Sequence, residues 1–224
     1  MDSKRFLPDF MNGTMLQWMI LSSGFSCFLL LGRIFVSGTF AYLFLPWNLF
    51  LAVIPLAISW WMKSKPLRVQ NRLRFILLSC TWLLFIPNSF YIITDLFHLK
   101  HFESAPTWFD CLMIFSFTWN GLLFGLVSVR QMETMFTRRV GKQFAGLLIL
   151  MVMLLSGLGI YVGRFLRFNS WDIITDPFSL MGEIFDLLLH PLANSYAWGM
   201  TICYAIFMTF LYITIKKWNE MQSV

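Results

Sequence analysis

From Met15 to Met62 the chain carries one charged side chain, Arg33, in an apolar run much longer than the roughly 20 residues one helix needs to cross a bilayer. Two crossings joined by a short turn accommodate it, over residues 15–32 and 46–62. Four further runs of spanning length follow, at about 75–95, 108–129, 144–164 and 197–215. They are separated by the basic stretch KSKPLRVQNRLR, the polar KHFESAPT and the basic RQMETMFTRRVGKQ. No small-residue cleavage pattern follows the first run, so it is expected to remain as a span and not to act as a removed signal peptide. The expected fold class is all-α: a polytopic integral membrane protein of about six transmembrane helices forming one domain over 1–224.

Composition agrees, because 58% hydrophobic and 12% charged residues leave too little polar surface to cover a soluble domain of 224 residues. The stretch Trp171 to Leu192 is the exception among the apolar segments. Asp172, Asp176, Glu183 and Asp186 make it too charged to span, and it reads as an extracytoplasmic amphipathic helix lying in the interface. Cys27, Cys80, Cys111 and Cys203 sit in or beside apolar runs without C-x-x-C spacing and are expected as buried small hydrophobes, not a disulfide or zinc framework. No internal repeat stands out, which argues against an inverted-repeat transporter.

The net charge of +6 tracks topology, not a nucleic-acid surface. With both termini cytoplasmic, only Arg33, Lys100, Arg164 and Arg167 of the 17 Lys and Arg lie outside, a positive-inside distribution. Seven of the eleven carboxylates and all three histidines then lie at or beyond the outer boundary. The unusual chemistry is expected on that side.

Its centre is Leu84 to His101, where Asn88, Tyr91, Asp95 and His98 recur at offsets of three, four and three. On an α-helix that spacing makes one face, normally the apolar seam of a buried helix. Here the face is polar. A carboxylate near hydrocarbon costs on the order of 2.5–3.5 kcal/mol at a helix centre, so such a group faces a partner or a wet cavity. Pro87 lies within the same span and is expected to kink it and free a backbone carbonyl near Asn88. The start of the fourth span, with Trp108 and Asp110, and the end of the fifth, with Tyr161, Arg164, Arg167 and Asn169, reach the same depth. Asn120 lies deeper. These residues are the candidate ligand-binding set, as a pocket for a polar or anionic group would use them.

Asp95 and Arg164 are opposite charges at equal depth and are the expected ion pair, with Arg167 the competing partner. Asn88 and Asn120 also suit interhelical hydrogen bonds. Gly159 and Gly163, in G-x-x-x-G spacing, suit close helix contact. Asp95, His98 and Asp110 are the candidate acid, base or metal groups. Asp95, His98 and His101 form D-x-x-H-x-x-H, but steps of three drift by about 60° on an ideal helix, so a metal site is not favoured and no cofactor is expected.

The stretches Pro46-Trp47-Asn48-Leu49-Phe50, FIPNSFYIITDLFHL, WFDCLMIFSFTWNGLLFG and GIYVGRFLRFNSWD resemble a bacterial membrane-protein family, domain of unknown function 1361. The resemblance covers most of 47–172, although Phe90 stands where the family often has a second proline. It implies a multi-spanning bacterial protein and brings no activity or ligand with it; the expected location is the bacterial cytoplasmic membrane. Three functions stay open: a pocket that binds or moves a polar or anionic ligand or a lipid head group, a membrane-embedded enzyme acting on a lipid-linked or extracytoplasmic substrate, and an accessory subunit. The partners expected are the bilayer, the ligand of the pocket, and either another protein or a second copy of the chain.

Overall fold

The computed structural model describes residues 14–65, 71–99 and 106–222. They are all-helical, with no strand among them. Six helices are long and apolar enough to cross a membrane: α1 (Met15–Ser37), α2 (Phe44–Ser64), α3 (Arg72–Tyr91) with its extension to His98, α4 (Thr107–Val140), α5 (Lys142–Arg164) and α8 (Ser195–Gln222). Two short helices, α6 (Asp172–Thr175) and α7 (Pro177–Leu189), lie between α5 and α8. The chain is a multi-spanning membrane protein with the architecture its apolar runs require.

Local chemistry sets the helix ends. Thr14 and Gln17 form a capping box at the start of α1, and Gly38, at φ 65, closes it in the left-handed conformation that residues with a Cβ rarely adopt. Asn71 caps α3 through the backbone N–H groups of Leu73 and Arg74. Asp176 caps α7 ahead of Pro177, so the expected single interfacial helix is two, broken where proline cannot continue the preceding turn. Leu180 and Leu187 of α7 pack with Val162 and Ala197, while Phe178, Phe185 and Leu189 stay exposed, as suits a helix lying along a membrane surface.

α4 runs 11 residues beyond the expected end of its span, through the basic stretch and up to Gly141. No Gly or Pro interrupts 130–140, and Met132 and Glu133 turn into the core there. α4 is also the hub: 67% of its apolar window is buried, against 22–39% in the other spans. It packs on α1, α2, α3 and α5, and α8 closes the bundle against α5. The four cysteines are free, as expected, but exposed and not buried. The surface of a span that faces lipid is itself apolar, so an apolar run does not reveal which of its residues face the protein.

α3 changes character after Tyr91. Residues Ile92–His98 form a 3-10 helix. Ile92, Ile93 and Thr94 are three β-branched residues in a row, which crowd an α-helical turn, and the Thr94 hydroxyl donates to the Tyr91 carbonyl at 2.8 Å. At three residues per turn instead of 3.6, Asp95 and His98 stay aligned with each other but rotate away from Asn88 and Tyr91. The single polar face expected from the spacing is therefore divided in two.

The G-x-x-x-G pair makes the close contact expected of it. A Cβ on Gly159 would lie 2.7 Å from Pro87 Cβ, and one on Gly163 would lie 3.2 Å from the Tyr91 ring. By contrast, a Cβ on Gly146 of the same helix meets nothing within 4 Å. Alanine at an open helical glycine stabilises by up to about 1 kcal/mol, whereas overpacking a filled site costs about 1–3 kcal/mol. Gly146→Ala is expected to hold or raise the melting temperature of the detergent-solubilised protein, and Gly159→Ala to lower it; equal shifts would show that α5 does not rest on Pro87.

A candidate polar cavity at one end of the bundle

The polar residues sit at the end where α1, α3 and α5 finish. Three separate side-chain groups hold them. In the first, Arg33 of α1 grips Asp110 in the first turn of α4, with Nε 2.6 Å from one carboxylate oxygen and Nη2 3.3 Å from the other. Both side chains are at most 3% exposed. The Tyr42 hydroxyl donates to the same carboxylate at 3.1 Å, and its ring lies 5.5 Å from the guanidinium. Burial, then the adjacent Asp110 charge, pushes the Tyr42 phenol up to about 12, so it remains a donor at ordinary pH.

In the second group, Asn48 in the second turn of α2 donates to both oxygens of buried Asp95, at 2.9 and 3.1 Å. In the third, Arg164 at the end of α5 donates to His98 Nε2 at 3.0 Å. An arginine N–H needs a lone pair there, so His98 is neutral with its proton on Nδ1. Phe44 and Phe97 flank the pair, at 4.7 Å from the His98 ring and 5.4 Å from the Arg164 guanidinium respectively. The expected Asp95–Arg164 ion pair is thus absent. Asp95 finds its hydrogen bond on α2, and His98, one 3-10 turn further along, finds its own on α5.

Beside these groups lies a cavity of about 320 Å³ between α2, α3, α5, the 165–171 connection and α7. Asn48, Asn88, Tyr91, Asn169 and Ser170 supply its polar wall, and Leu83, Leu84, Leu155 and Leu158 part of its apolar wall. Helix register orders the two walls by depth. Asn88 and Tyr91 stand one to two turns nearer the end of the bundle than Leu83 and Leu84, and Asn48 one turn nearer than Leu51. The kink residue Pro87 lines the same space, and Ser170 donates to the Leu84 carbonyl beside it at 3.1 Å while its Oγ lies 2.9 Å from Asn88 Nδ2. Asp172 accepts the Asn169 backbone N–H at 2.6 Å and the Thr175 hydroxyl at 2.8 Å, bonds that hold its carboxyl below the usual range and pin the connection.

Of the candidate residues, the cavity therefore unites Asn88, Tyr91 and Asn169. Asp95 stands directly behind Asn48. Asp110 belongs to the Arg33 clamp. Tyr161 stacks on Phe165 at 5.3 Å, away from the cavity lining. Asn120 is fully buried, donating to Ser26 of α1 at 3.0 Å and to the Ser116 carbonyl at 2.9 Å. Arg167 is exposed, with a left-handed backbone at φ 62. Among the described residues no three His, Cys, Asp or Glu side chains gather as a metal site. Asp95, His98 and Asp110 each answer to a different partner, and His101 lies outside the described residues. Arg33, Tyr42, Asn48 and Ser170 are the residues that spacing along one helix missed. Arg33, the one charge in 15–62, and Asn48, an amide in the same apolar run, carried a signal, but their partners lie 77 and 47 residues away.

A family model described as "Protein of unknown function (DUF1361)" matches residues 47–214, which takes in α3 to α5 and the whole cavity lining. No curated protein and no solved structure matches the chain.

Removing one member of a buried ion pair typically costs about 3–5 kcal/mol, while replacing both with apolar groups can be nearly neutral. Arg33→Met and Asp110→Leu are each expected to lower the melting temperature sharply, and the double variant to recover much of the loss. The same cycle on Asp95→Asn and Arg164→Gln, which make no direct contact, is expected to show much weaker coupling; coupling as strong as that between 33 and 110, or none between 33 and 110, would contradict the pairing.

Proposed function

We propose, from the premise that the chain belongs to the DUF1361 family of proteins of unknown function, that this multi-spanning protein binds an amphiphilic ligand, by its head group, in the cavity between α2, α3, α5 and α7. The observation that carries the reading is the order of the walls. On α2 and α3 the amides lie toward the end of the bundle and the leucines below them, in the order of a lipid's head group and chain, while Phe168, Ile173, Leu180 and Ile184 add apolar surface on the outer side. A polar small molecule would leave the leucines in contact with water, and a plain hydrocarbon would leave the amides unsatisfied. The amphipathic α7, with Leu180 and Ile184 against the cavity, supplies a cover from the interface.

The reading places the cavity at the outer face of the bacterial cytoplasmic membrane, with the N- and C-termini inside. Its support is the charge distribution. At the opposite end, Arg130, Lys216 and the Tyr212 hydroxyl converge on Glu133, and Arg138, Arg139 and Lys142 stand beside them. The cavity end carries few cations.

Two measurements test this. The protein purified in mild detergent is expected to retain a lipid through delipidating washes, read by native mass spectrometry, and Leu158→Trp, which fills the apolar wall, to release it; retention unchanged by Leu158→Trp would overturn the site. In a cysteine-free background, Asn194→Cys is expected to react with a membrane-impermeant thiol reagent in whole cells and Ser64→Cys only after permeabilisation. The reverse pattern would overturn the orientation.

A further inference from the structure

We propose that the head group this cavity takes is a hydrogen-bond donor, hydroxylated or ammonium-bearing, and not a bare phosphate; the inference rests on the reading of the cavity as an amphiphile site. Three amides line the polar wall, and each is anchored by its NH2 group. Asn48 turns its NH2 to both oxygens of Asp95. Asn88 turns its NH2 to Ser170, and the direction of that bond is fixed by chemistry. The Ser170 hydroxyl has one hydrogen and gives it to the Leu84 carbonyl, so it can only accept from Asn88. Asn169 turns its NH2 to Asp172, at 3.5 Å, beside the 2.6 Å bond from its backbone N–H to the same oxygen.

A planar amide anchored through nitrogen presents its oxygen on the other side. None of the three oxygens has a hydrogen-bond partner among the described residues, and with two lone pairs each they outnumber the amide hydrogens left over and the Tyr91 hydroxyl hydrogen taken together. The wall accepts more than it donates.

Charge points the same way. Among the described residues that line the cavity there is no Lys or Arg. The nearest cation on α5, Arg164, is directed to His98. Asp95 lies one hydrogen bond behind Asn48, adding an acid to the same wall and polarising that amide oxygen further. Trp47 is among the lining residues, and an indole suits the C–H surface of a sugar or a cationic ammonium. A phosphate monoester would face three carbonyl oxygens with no Lys or Arg among the described lining residues to offset them. A hydroxyl or an ammonium would complete them.

The test uses the full chain, delipidated in detergent and titrated by native mass spectrometry with lipids of identical acyl chains. The probes are a monoglucosyl diacylglycerol, phosphatidylethanolamine and phosphatidic acid. At least one of the two donor lipids is expected to bind about tenfold more tightly than phosphatidic acid, the scale set by leaving hydrogen-bonding groups unmatched. Asn88→Leu is expected to bring that ratio near one; Asn169→Leu, at an exposed position whose loss threatens folding less, is expected to reduce it. Phosphatidic acid binding as tightly as both donor lipids would overturn the donor inference and leave the amphiphile site standing. A preference unmoved by either variant would overturn the amides as its source. Binding of none of the three would overturn the amphiphile site itself.

Discussion

The buried contact between Arg33 and Asp110 is the interaction on which the arrangement of the bundle most depends. Two charges removed from water and lipid at the end of a membrane bundle are tolerable only as a pair with good geometry and further hydrogen bonds. The guanidinium fork meets both carboxylate oxygens, and Tyr42 adds a third donor. That joins α1, the connection to α2, and the first turn of α4 at one point. α4 is the helix that the others surround, so its azimuth and depth, once set by Asp110, set the positions from which α2 and α3 build the cavity.

Proline and serine carry much of the remaining polar interior. In α2, Pro55 interrupts the hydrogen-bond ladder, and the Ser128 hydroxyl of α4 donates to the Pro55 carbonyl at 2.9 Å while accepting from Trp82 of α3 at 2.7 Å. In α3, Pro87 plays the corresponding part near the cavity, where Ser170 donates to Leu84 and Ser89 donates to the Ala52 carbonyl of α2 at 2.8 Å. In lipid, where water is not at hand, such hydroxyl-to-carbonyl bonds tie each proline-bearing helix to its neighbour. The cavity lies beside Pro87, where α3 and α5 touch through Gly159.

The two ends of the bundle solve the same electrostatic problem differently. At one, Glu133 accepts from Arg130, Tyr212 and Lys216, which ties α8 to α4. At the other, the polar groups are divided among pairs, Asn48 with Asp95 and Arg164 with His98, and they leave amide oxygens beside an open space. A closed network stabilises; a wall with vacant acceptors is suited to receive something.

Much of this was legible in the chain. Apolar length specified six crossings, because a span must bury about 20 residues whatever it packs against. Charge excluded a seventh at 171–192, and the G-x-x-x-G spacing located the α5 contact. The polar residues from Asn88 to His98 marked the right region, since polar groups in a span are costly unless used. What spacing along one helix did not contain was partnership. Three β-branched residues after Tyr91 tighten the helix to 3-10, which takes Asp95 and His98 off the face of Asn88 and Tyr91; Asp95 meets Asn48 and His98 meets Arg164, in place of the ion pair that equal depth suggested. Asp110 became a clamp because Arg33, 77 residues earlier, reaches it. Membrane depth is a one-dimensional property that composition encodes, so the sequence determined the number of crossings and the depth of each polar residue. Azimuth and pairing depend on several helices at once, and only the tertiary structure decided which polar groups bind each other and which three amides face a common space.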